Sequence, residues 1–132
     1  MSHTISIKIG DRLFSAELSD CPAAKQLLEA LPMKLRMSRW GEEYYGDCGL
    51  AIALGEDARE IVEVGEIAYW PPGSALCFFF GPTPASTDER PRAASAVAPL
   101  GKFTGGVEAF KGFGSGIEAE IAAVSKSSGN CI

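Results

Sequence analysis

Hydrophobic and polar residues alternate along much of the chain with a period of two, which is the pattern of half-buried β-strands. Residues 3–9 and 12–18 form the first two such runs, and Gly10-Asp11 separates them. A Gly-Asp pair between two alternating runs is typical of a tight hairpin turn. We therefore predict a β-hairpin at the start of the chain.

One segment, residues 20–31, follows the helical period instead. Ser19 or Asp20 is suited to cap its first turn, and Pro22 fits a first-turn position. Pro32 ends the segment, because proline is rarely tolerated inside a helix. The pattern therefore predicts one main α-helix, whose apolar residues recur three or four positions apart: Ala23, Leu27, Leu28 and Leu31.

After this helix, the pattern returns to short strands. For YYGDCGLAIAL (44–54) we expect a strand, a turn and a second strand, and residues 85–95 read as a polar loop. Pro99 interrupts a later run, which places that strand at an edge or a bulge. The alanine and glutamate content of the last run also permits a helix. The remaining strand segments are residues 33–40, 61–70, 74–80, 96–103 and 117–124.

Together these elements predict a mainly β domain, built as a closed antiparallel barrel of about eight strands. One main α-helix covers about residues 20–31, and one short helical turn lies near 107–111. We find neither an internal repeat nor a linker. Residues 1–132 are therefore expected to form a single barrel domain with a frayed tail at about 125–132.

The net charge and the N-terminal sequence limit the binding partners and the cellular compartment that we expect. The formal net charge is −5, whereas a nucleic-acid-binding surface normally shows as a basic stripe. The N-terminus lacks the charged and apolar regions of a signal peptide, and no apolar run is long enough for a membrane span. We therefore expect a cytoplasmic protein that binds neither nucleic acid nor a membrane.

The inventory of reactive side chains excludes several kinds of catalytic site. The only histidine is His3, at the N-terminus, so neither a serine nor a cysteine has a suitable partner for a catalytic triad. GFGSG (112–116) precedes a strand rather than opening a helix, so it is a turn and not a phosphate loop. We expect no metal and no cofactor, since the four cysteines lack zinc-binding spacing and three of them, beside apolar residues, are interpreted as reduced core thiols. The four are Cys21, Cys48, Cys77 and Cys131.

The stretch most indicative of a site is AYWPPGSALCFFFGPTP (68–84). Phe78 and Phe80 share one strand face and fill the barrel or line a groove, while Phe79 packs on the other side against the helix. The two proline pairs would stiffen one rim, and a rigid aromatic rim suits ligand capture. The candidate groove residues are Tyr69, Trp70, Phe78, Phe80, Gly81, Pro82, Thr83 and Pro84.

Polar candidates lie on the strand after the helix and just beyond it. Arg36 points away from the apolar face of its strand, as either a solvated residue or a polar anchor for a carbonyl or an anion. Tyr44 and Tyr45 would supply hydroxyl donors beside it. The nearby carboxylates are expected to be solvated turn residues rather than an acid–base pair: Glu42, Glu43 and Asp47.

The order of elements and two segments resemble the cyclophilin fold, and in particular a prokaryotic branch of cyclophilin-like proteins of uncharacterised function. The segments are GEIAYWPPGSALCFFFGPTP (65–84) and PRAASAVAPLGKFTGG (91–106). The resemblance implies an eight-stranded barrel. In active members it also implies peptidyl-prolyl isomerisation, in which an arginine stabilises the twisted amide and apolar residues hold the proline ring.

The catalytic face of cyclophilins is matched here only in part. Arg36 corresponds best to the catalytic arginine, with Arg39 second, and Phe78, Phe79 or Phe80 corresponds to the ring-binding phenylalanine. WGEEYYGDCG stands where the family has Phe-Met-x-Gln, and the later tryptophan and histidine of the family are absent.

Three functions follow as expectations. The first is a barrel that binds a small molecule or an extended, proline-containing peptide in the aromatic groove without catalysis. The alternative is a weak or atypical peptidyl-prolyl cis–trans isomerase, in which Arg36 is the catalytic residue. A second alternative is a structural or interaction protein. The oligomeric state is left open by the sequence.

Overall fold

The computed structural model describes residues 3–124, which form nine β-strands, one α-helix and two 3₁₀ helices. Helix α1 (Pro22–Ala30) follows the second strand, and the 3₁₀ helices are Pro71–Gly73 and Val107–Gly112. The strands are β1 (His3–Ile9), β2 (Arg12–Leu18), β3 (Met33–Arg39), β4 (Glu43–Asp47), β5 (Arg59–Ile61), β6 (Glu66–Trp70), β7 (Ala75–Phe79), β8 (Arg92–Phe103) and β9 (Gly116–Ala123).

Eight of these strands close into an antiparallel barrel in the order β2-β1-β9-β3-β4-β7-β6-β8, because β8 pairs with β2 as well as with β6. The ninth strand, β5, lies outside this ring and pairs with β8. The predicted barrel with one main helix is thus confirmed. The predicted hairpin is confirmed too, since β1 and β2 pair from Ile9 opposite Arg12 to His3 opposite Leu18.

The main helix begins slightly later than predicted and lacks a side-chain cap. Its N-cap is Cys21 rather than Ser19 or Asp20, and no side chain caps the first turn. Pro22 at the start of the helix has no N–H group, which removes one of the donors that a cap would satisfy. The helix ends before Pro32, as predicted.

Residues 48–55 form no strand, so the predicted second strand within YYGDCGLAIAL is wrong. The Asp47 carboxylate accepts a hydrogen bond from the Gly49 N–H at 2.8 Å, and Gly49 has a φ of +75°. These features turn the chain away from the sheet. The segment then packs on the core, where Ile52 is buried and the Leu50 carbonyl accepts a hydrogen bond from the Tyr69 hydroxyl at 2.5 Å.

Three other expectations are settled along the second half of the chain. The long strand β8 starts at Arg92, which shortens the predicted polar loop. Its pairing with β6 shifts register opposite Ile67 and Ala68, where Pro99 lies, so the predicted bulge is confirmed. The last predicted segment is the strand β9 and not a helix. The predicted frayed tail, 125–132, lies outside the described residues.

The buried side chains of the barrel wall form two sets because neighbouring residues of a strand point to opposite faces. Inward side chains, such as Phe78, form the main core together with residues of α1. Phe79 points outward and packs in a second cluster, so the prediction that it packs against the helix is wrong. The helix covers the interior, whereas the second cluster lies on the outer face: Val62, Ala68, Ala75, Cys77, Phe79, Ala93 and Val97.

Phe110, from the 3₁₀ helix Val107–Gly112, is fully buried among other aromatic rings of the main core. Its ring centroid lies 4.9 Å from that of Phe14, 5.2 Å from that of Phe103 and 5.7 Å from that of Phe80. All three contacts are edge-on, a geometry that adds to the stabilisation from burial. The connection between β8 and β9 therefore supplies a central residue of the core.

Replacing Phe110 with alanine is expected to lower the free energy of unfolding by about 3–5 kcal/mol, because truncating a buried phenylalanine leaves a cavity. Urea unfolding followed by circular dichroism measures this change. Leu13→Ala is the control, since Leu13 is 71% exposed and its loss should have little effect. Equal losses in the two variants would contradict a central role for Phe110.

Candidate functional site

The aromatic residues predicted to wall a groove divide between the two sides of the barrel wall. Tyr44, Tyr69, Phe78 and Phe80 are buried in the main core. The hydroxyl groups of Tyr44 and Tyr69 donate hydrogen bonds to backbone carbonyls, each at 2.5 Å. Trp70, in contrast, is half-buried on the outer face, against the second cluster. These residues therefore do not share one groove.

The two arginines of β3 also differ in their surroundings. Arg36 is exposed on the outer face of the strand, opposite Glu118 of β9. Arg39 places its guanidinium over the ring of Phe80, with 5.1 Å between the guanidinium carbon and the ring centroid. Its Nε and Nη1 donate hydrogen bonds of 2.8–3.2 Å to three backbone carbonyls, which tie the β3–β4 turn to the segment before β9: Gly41, Lys111 and Phe113.

The predicted rim segment Gly81–Pro84 is held as a structural turn. The Thr83 side chain is buried, and its hydroxyl donates a hydrogen bond to the Arg92 carbonyl. The Thr83 N–H donates to the Ser86 hydroxyl at 2.9 Å. The Glu42 N–H donates to the Pro82 carbonyl at 2.9 Å. These bonds join the exit of β7 to the starts of β4 and β8.

A pocket of about 280 Å³ opens on the outer face of the barrel, over β4, β6 and β8. Strand β7 lies between β4 and β6, and its outward residues Cys77 and Phe79 pair with Tyr45 and Glu43. The sheet beneath the pocket is therefore apolar. The lining is mostly aromatic and aliphatic, with one carboxyl group: Trp40, Glu43, Tyr45, Trp70, Ala93 and Ala94.

The turn between β3 and β4 positions Trp40. Gly41 has a φ of +64°, and a Cβ there would lie 2.6 Å from Cδ of Pro84, so the turn requires glycine. The Trp40 N–H donates a hydrogen bond to the Glu43 carbonyl at 2.8 Å, which closes the turn. Trp40 is thereby held beside the first residue of β4.

Two contacts fix Trp70 on the β6 side of the pocket. Its indole N–H donates a hydrogen bond to the Ser95 hydroxyl at 2.8 Å. Gly73 stands against its ring, since a Cβ at that position would lie 3.0 Å from a ring carbon. The indole is therefore held in place before any ligand binds.

Glu43 is the buried polar group of this pocket, with an exposed fraction of only 5%. Its Oε1 has no hydrogen-bond partner among residues 3–124. Glu66, which is equally buried, accepts a hydrogen bond from the Glu63 N–H at 2.9 Å and pairs with Arg59. The prediction that Glu43 is a solvated turn residue is wrong, because it begins β4 and points to the covered outer face.

Burial is the main cause of the shifted pKa values of Glu43 and Cys77. Burial raises the pKa of Glu43 from 4.5 to about 7, and a hydrogen bond from the Cys77 thiol acts in the opposite direction. Burial, reinforced by the Glu43 carboxyl group, holds the pKa of Cys77 well above its ordinary range. The pocket therefore combines a carboxyl group that titrates near neutral pH with a thiol that stays protonated.

Comparisons with known proteins assign the family. The model of the family described as cyclophilin-like matches residues 3–122. The chain belongs to the cyclophilin-like family. It is 33% identical to a hypothetical protein from Archaeoglobus fulgidus known from its solution structure, with a TM-score of 0.77 over 93% of this chain and 95% of that one. None of the curated proteins matches the chain.

In this cyclophilin-like protein, the arginine and the phenylalanine expected for an isomerase are not assembled into an open site. Phe78 and Phe80 point into the barrel, and Arg39 lies over Phe80, whose ring is buried. Arg36 lies on the outside of the barrel. Phe79 shares the outer side with Arg36, but its ring is completely buried in the second cluster. A buried ring offers no surface to a proline. The pocket around Glu43 is therefore a better candidate for a functional site than the surface around Arg36.

Residues 3–124 contain no group of three side chains placed to hold a metal ion. The same range contains no helix that is long and apolar enough to cross a membrane. Cys21, Cys48 and Cys77 are free thiols, and Cys131 lies outside the described residues.

The sequence pattern points to Trp70 and Tyr45 but misses the remaining pocket residues. A partial signal for Glu43 exists, since Tyr44 and Gly46 point inward and the alternation then turns Glu43 outward. Whether that outer face is covered depends on β8 and on the segment that precedes it. No local pattern in residues 43–47 indicates that the outer face at Glu43 is covered.

Replacing Glu43 with glutamine is expected to remove a pH dependence of stability. The unfolded carboxyl titrates near 4.5 and the folded one near 7, so the folded protein holds the extra proton between these values. Wild-type stability should therefore fall by roughly 3 kcal/mol as the pH rises through that range and level off above it, since one pKa unit corresponds to about 1.4 kcal/mol.

Urea unfolding at several pH values measures this effect, and NMR titration of the Glu43 carboxyl carbon checks it directly. Glu118→Gln is the control, because Glu118 is an exposed carboxylate on β9 and its loss should leave the fall in stability in place. A wild-type profile that matches Glu43→Gln between pH 4.5 and 8 would show that Glu43 is solvated.

Proposed function

We propose that this cyclophilin-like barrel is a non-catalytic binding protein for a small organic molecule, which it holds in the pocket around Glu43. The observation that carries the proposal is a buried carboxyl oxygen, without a hydrogen-bond partner among residues 3–124, in a pocket lined by aromatic rings. A buried polar atom without a hydrogen bond destabilises the folded protein. A ligand that supplies the missing donor would remove that cost.

The size of the pocket favours a small molecule over an extended peptide. Its volume of about 280 Å³ lies just below the range of roughly 300–1,000 Å³ that is typical of small-molecule sites. The lining also matches such sites, since they are mostly apolar and carry few, well-placed polar groups. Trp70 belongs both to this lining and to the groove residues indicated by the sequence.

The reactive groups at the pocket favour binding without chemistry. Cys77 lies beneath it as a protonated thiol, and a thiol is a weak nucleophile until it loses its proton. Among the described residues, Glu43 is the only carboxyl group that lines the pocket, whereas acid–base catalysis by carboxyl groups commonly uses two of them. The lining is thus better suited to recognition than to turnover.

A screen of small aromatic and aliphatic fragments by NMR tests the proposal. We expect fragments to shift the backbone amide signals of residues 40–45, 70 and 93–95. Trp70→Ala should weaken the best fragment about tenfold or more, because a tryptophan wall contributes strongly to binding. Leu13→Ala is the control for nonspecific effects, since Leu13 is an exposed residue of β2 outside the pocket lining. Absence of pocket shifts with every fragment would contradict the proposal.

The exchange of a proline-containing test peptide, followed by NMR, separates this function from an isomerase. We expect no acceleration of cis–trans exchange by the wild type, because Arg36 has no accessible phenylalanine beside it. Catalysis that is lost in Arg36→Ala but retained in Lys34→Ala, an exposed position of the same strand, would contradict binding without catalysis.

A further inference from the structure

The charged and aromatic groups around Glu43 indicate a narrower class of ligand than the apolar lining of the pocket does. One carboxyl group lies in a lining of two indoles and one phenol. The Trp70 indole N–H already donates to Ser95, so that tryptophan offers a ligand its ring rather than a hydrogen-bond donor. The site thus lacks a free donor at Trp70 and has a free acceptor at Glu43.

Aromatic rings and a carboxylate attract the same class of ligand. The faces of Trp and Tyr rings carry partial negative charge and bind ammonium groups through cation–π interactions. An ionised carboxylate accepts hydrogen bonds and attracts positive charge. The Oε1 atom of Glu43 has no donor of its own among the described residues. A positively charged nitrogen that carries an N–H bond satisfies both features at once.

We propose that the ligand of this pocket is a small organic ammonium ion, with its N–H on the Glu43 carboxylate and its hydrocarbon part between Trp40 and Trp70. This inference rests on the proposed small-molecule function and specifies the class of ligand. The aromatic walls accommodate either a ring or a branched alkyl group. The net charge of −5 also favours the approach of a cation over that of an anion.

Binding of such a cation is linked to the proton on Glu43. The free pocket holds this carboxyl partly protonated near neutral pH. An ammonium ion favours the ionised form, so binding expels the proton at pH values below about 7 and expels none well above it. The other titratable groups at the site are Cys77 beneath it on β7 and Tyr45 on β4 itself, while the lining residues of β6 and β8 carry no charge.

Isothermal titration calorimetry with two matched probes tests the inference. Benzylamine is protonated at neutral pH, and benzyl alcohol is its uncharged counterpart of similar shape. We expect benzylamine to bind the wild type about tenfold or more tightly than it binds Glu43→Gln, since hydrogen bonds to charged groups are strong. Benzyl alcohol should bind both proteins equally. Titrations in buffers of different ionisation enthalpy should show proton release with benzylamine at about pH 6 and none at about pH 8.5.

Each other result has a defined meaning. Equal binding of the amine and the alcohol to the wild type, or undiminished amine binding to Glu43→Gln, would overturn the ammonium inference and leave small-molecule binding intact. If neither probe binds while the fragment screen finds neutral ligands, the inference fails and the proposed function stands. If the screen fails as well, both fail. Proton release is measured on the wild type, so it decides the point even if the glutamine variant folds poorly.

Discussion

Both faces of the barrel wall are buried along β6 and β7 and at the first residue of β4, and this constraint determines which way each of these side chains points. The five residues of β7 are all buried, although they alternate between the interior and the outer face. Phe78 fills the barrel, and Phe79 lies under the cover provided by β8 and Val62. A shift of one residue in pairing would exchange the two sets, since successive side chains point to opposite sides. The pairing of β4 with β7 therefore also decides that Glu43, and not Tyr44, points to the outer face.

Within residues 3–124, two carboxyl groups are buried on that outer side, and they differ in their hydrogen-bond partners. Glu66 has Arg59 and a backbone N–H as partners, and such pairing offsets much of the cost of burying a charge. Glu43 has no hydrogen-bond partner for Oε1 in the described part of the chain, and burial favours its neutral form. Local features that destabilise a protein tend to occur at functional sites, where a ligand compensates for them. The contrast between these carboxylates singles out the Glu43 pocket.

Features that depend on neighbouring residues were predictable from the sequence, and features that depend on distant segments were not. The hairpin at Gly10-Asp11, the end of the helix at Pro32 and the bulge at Pro99 are local consequences of turn and proline geometry, and all three appear. The run at 50–54 has strand-like composition, yet it packs across the core instead, because the turn at Gly49 directs it there. The resemblance to the family predicted the barrel, but it did not indicate that Glu43 would be buried. That burial arises only when β8, about fifty residues away in sequence, returns to the same face.

The chain contains two tryptophans, and Trp40 and Trp70 both border the same pocket. They come from different turns, one held by Gly41 and the other resting on Gly73. As a result, the whole tryptophan emission of the protein originates at this site. A change in polarity or solvent access at the pocket therefore alters the intrinsic fluorescence directly, because no tryptophan elsewhere contributes to the signal. The molecule therefore carries its own optical reporter, placed by the fold at the site where a ligand would arrive.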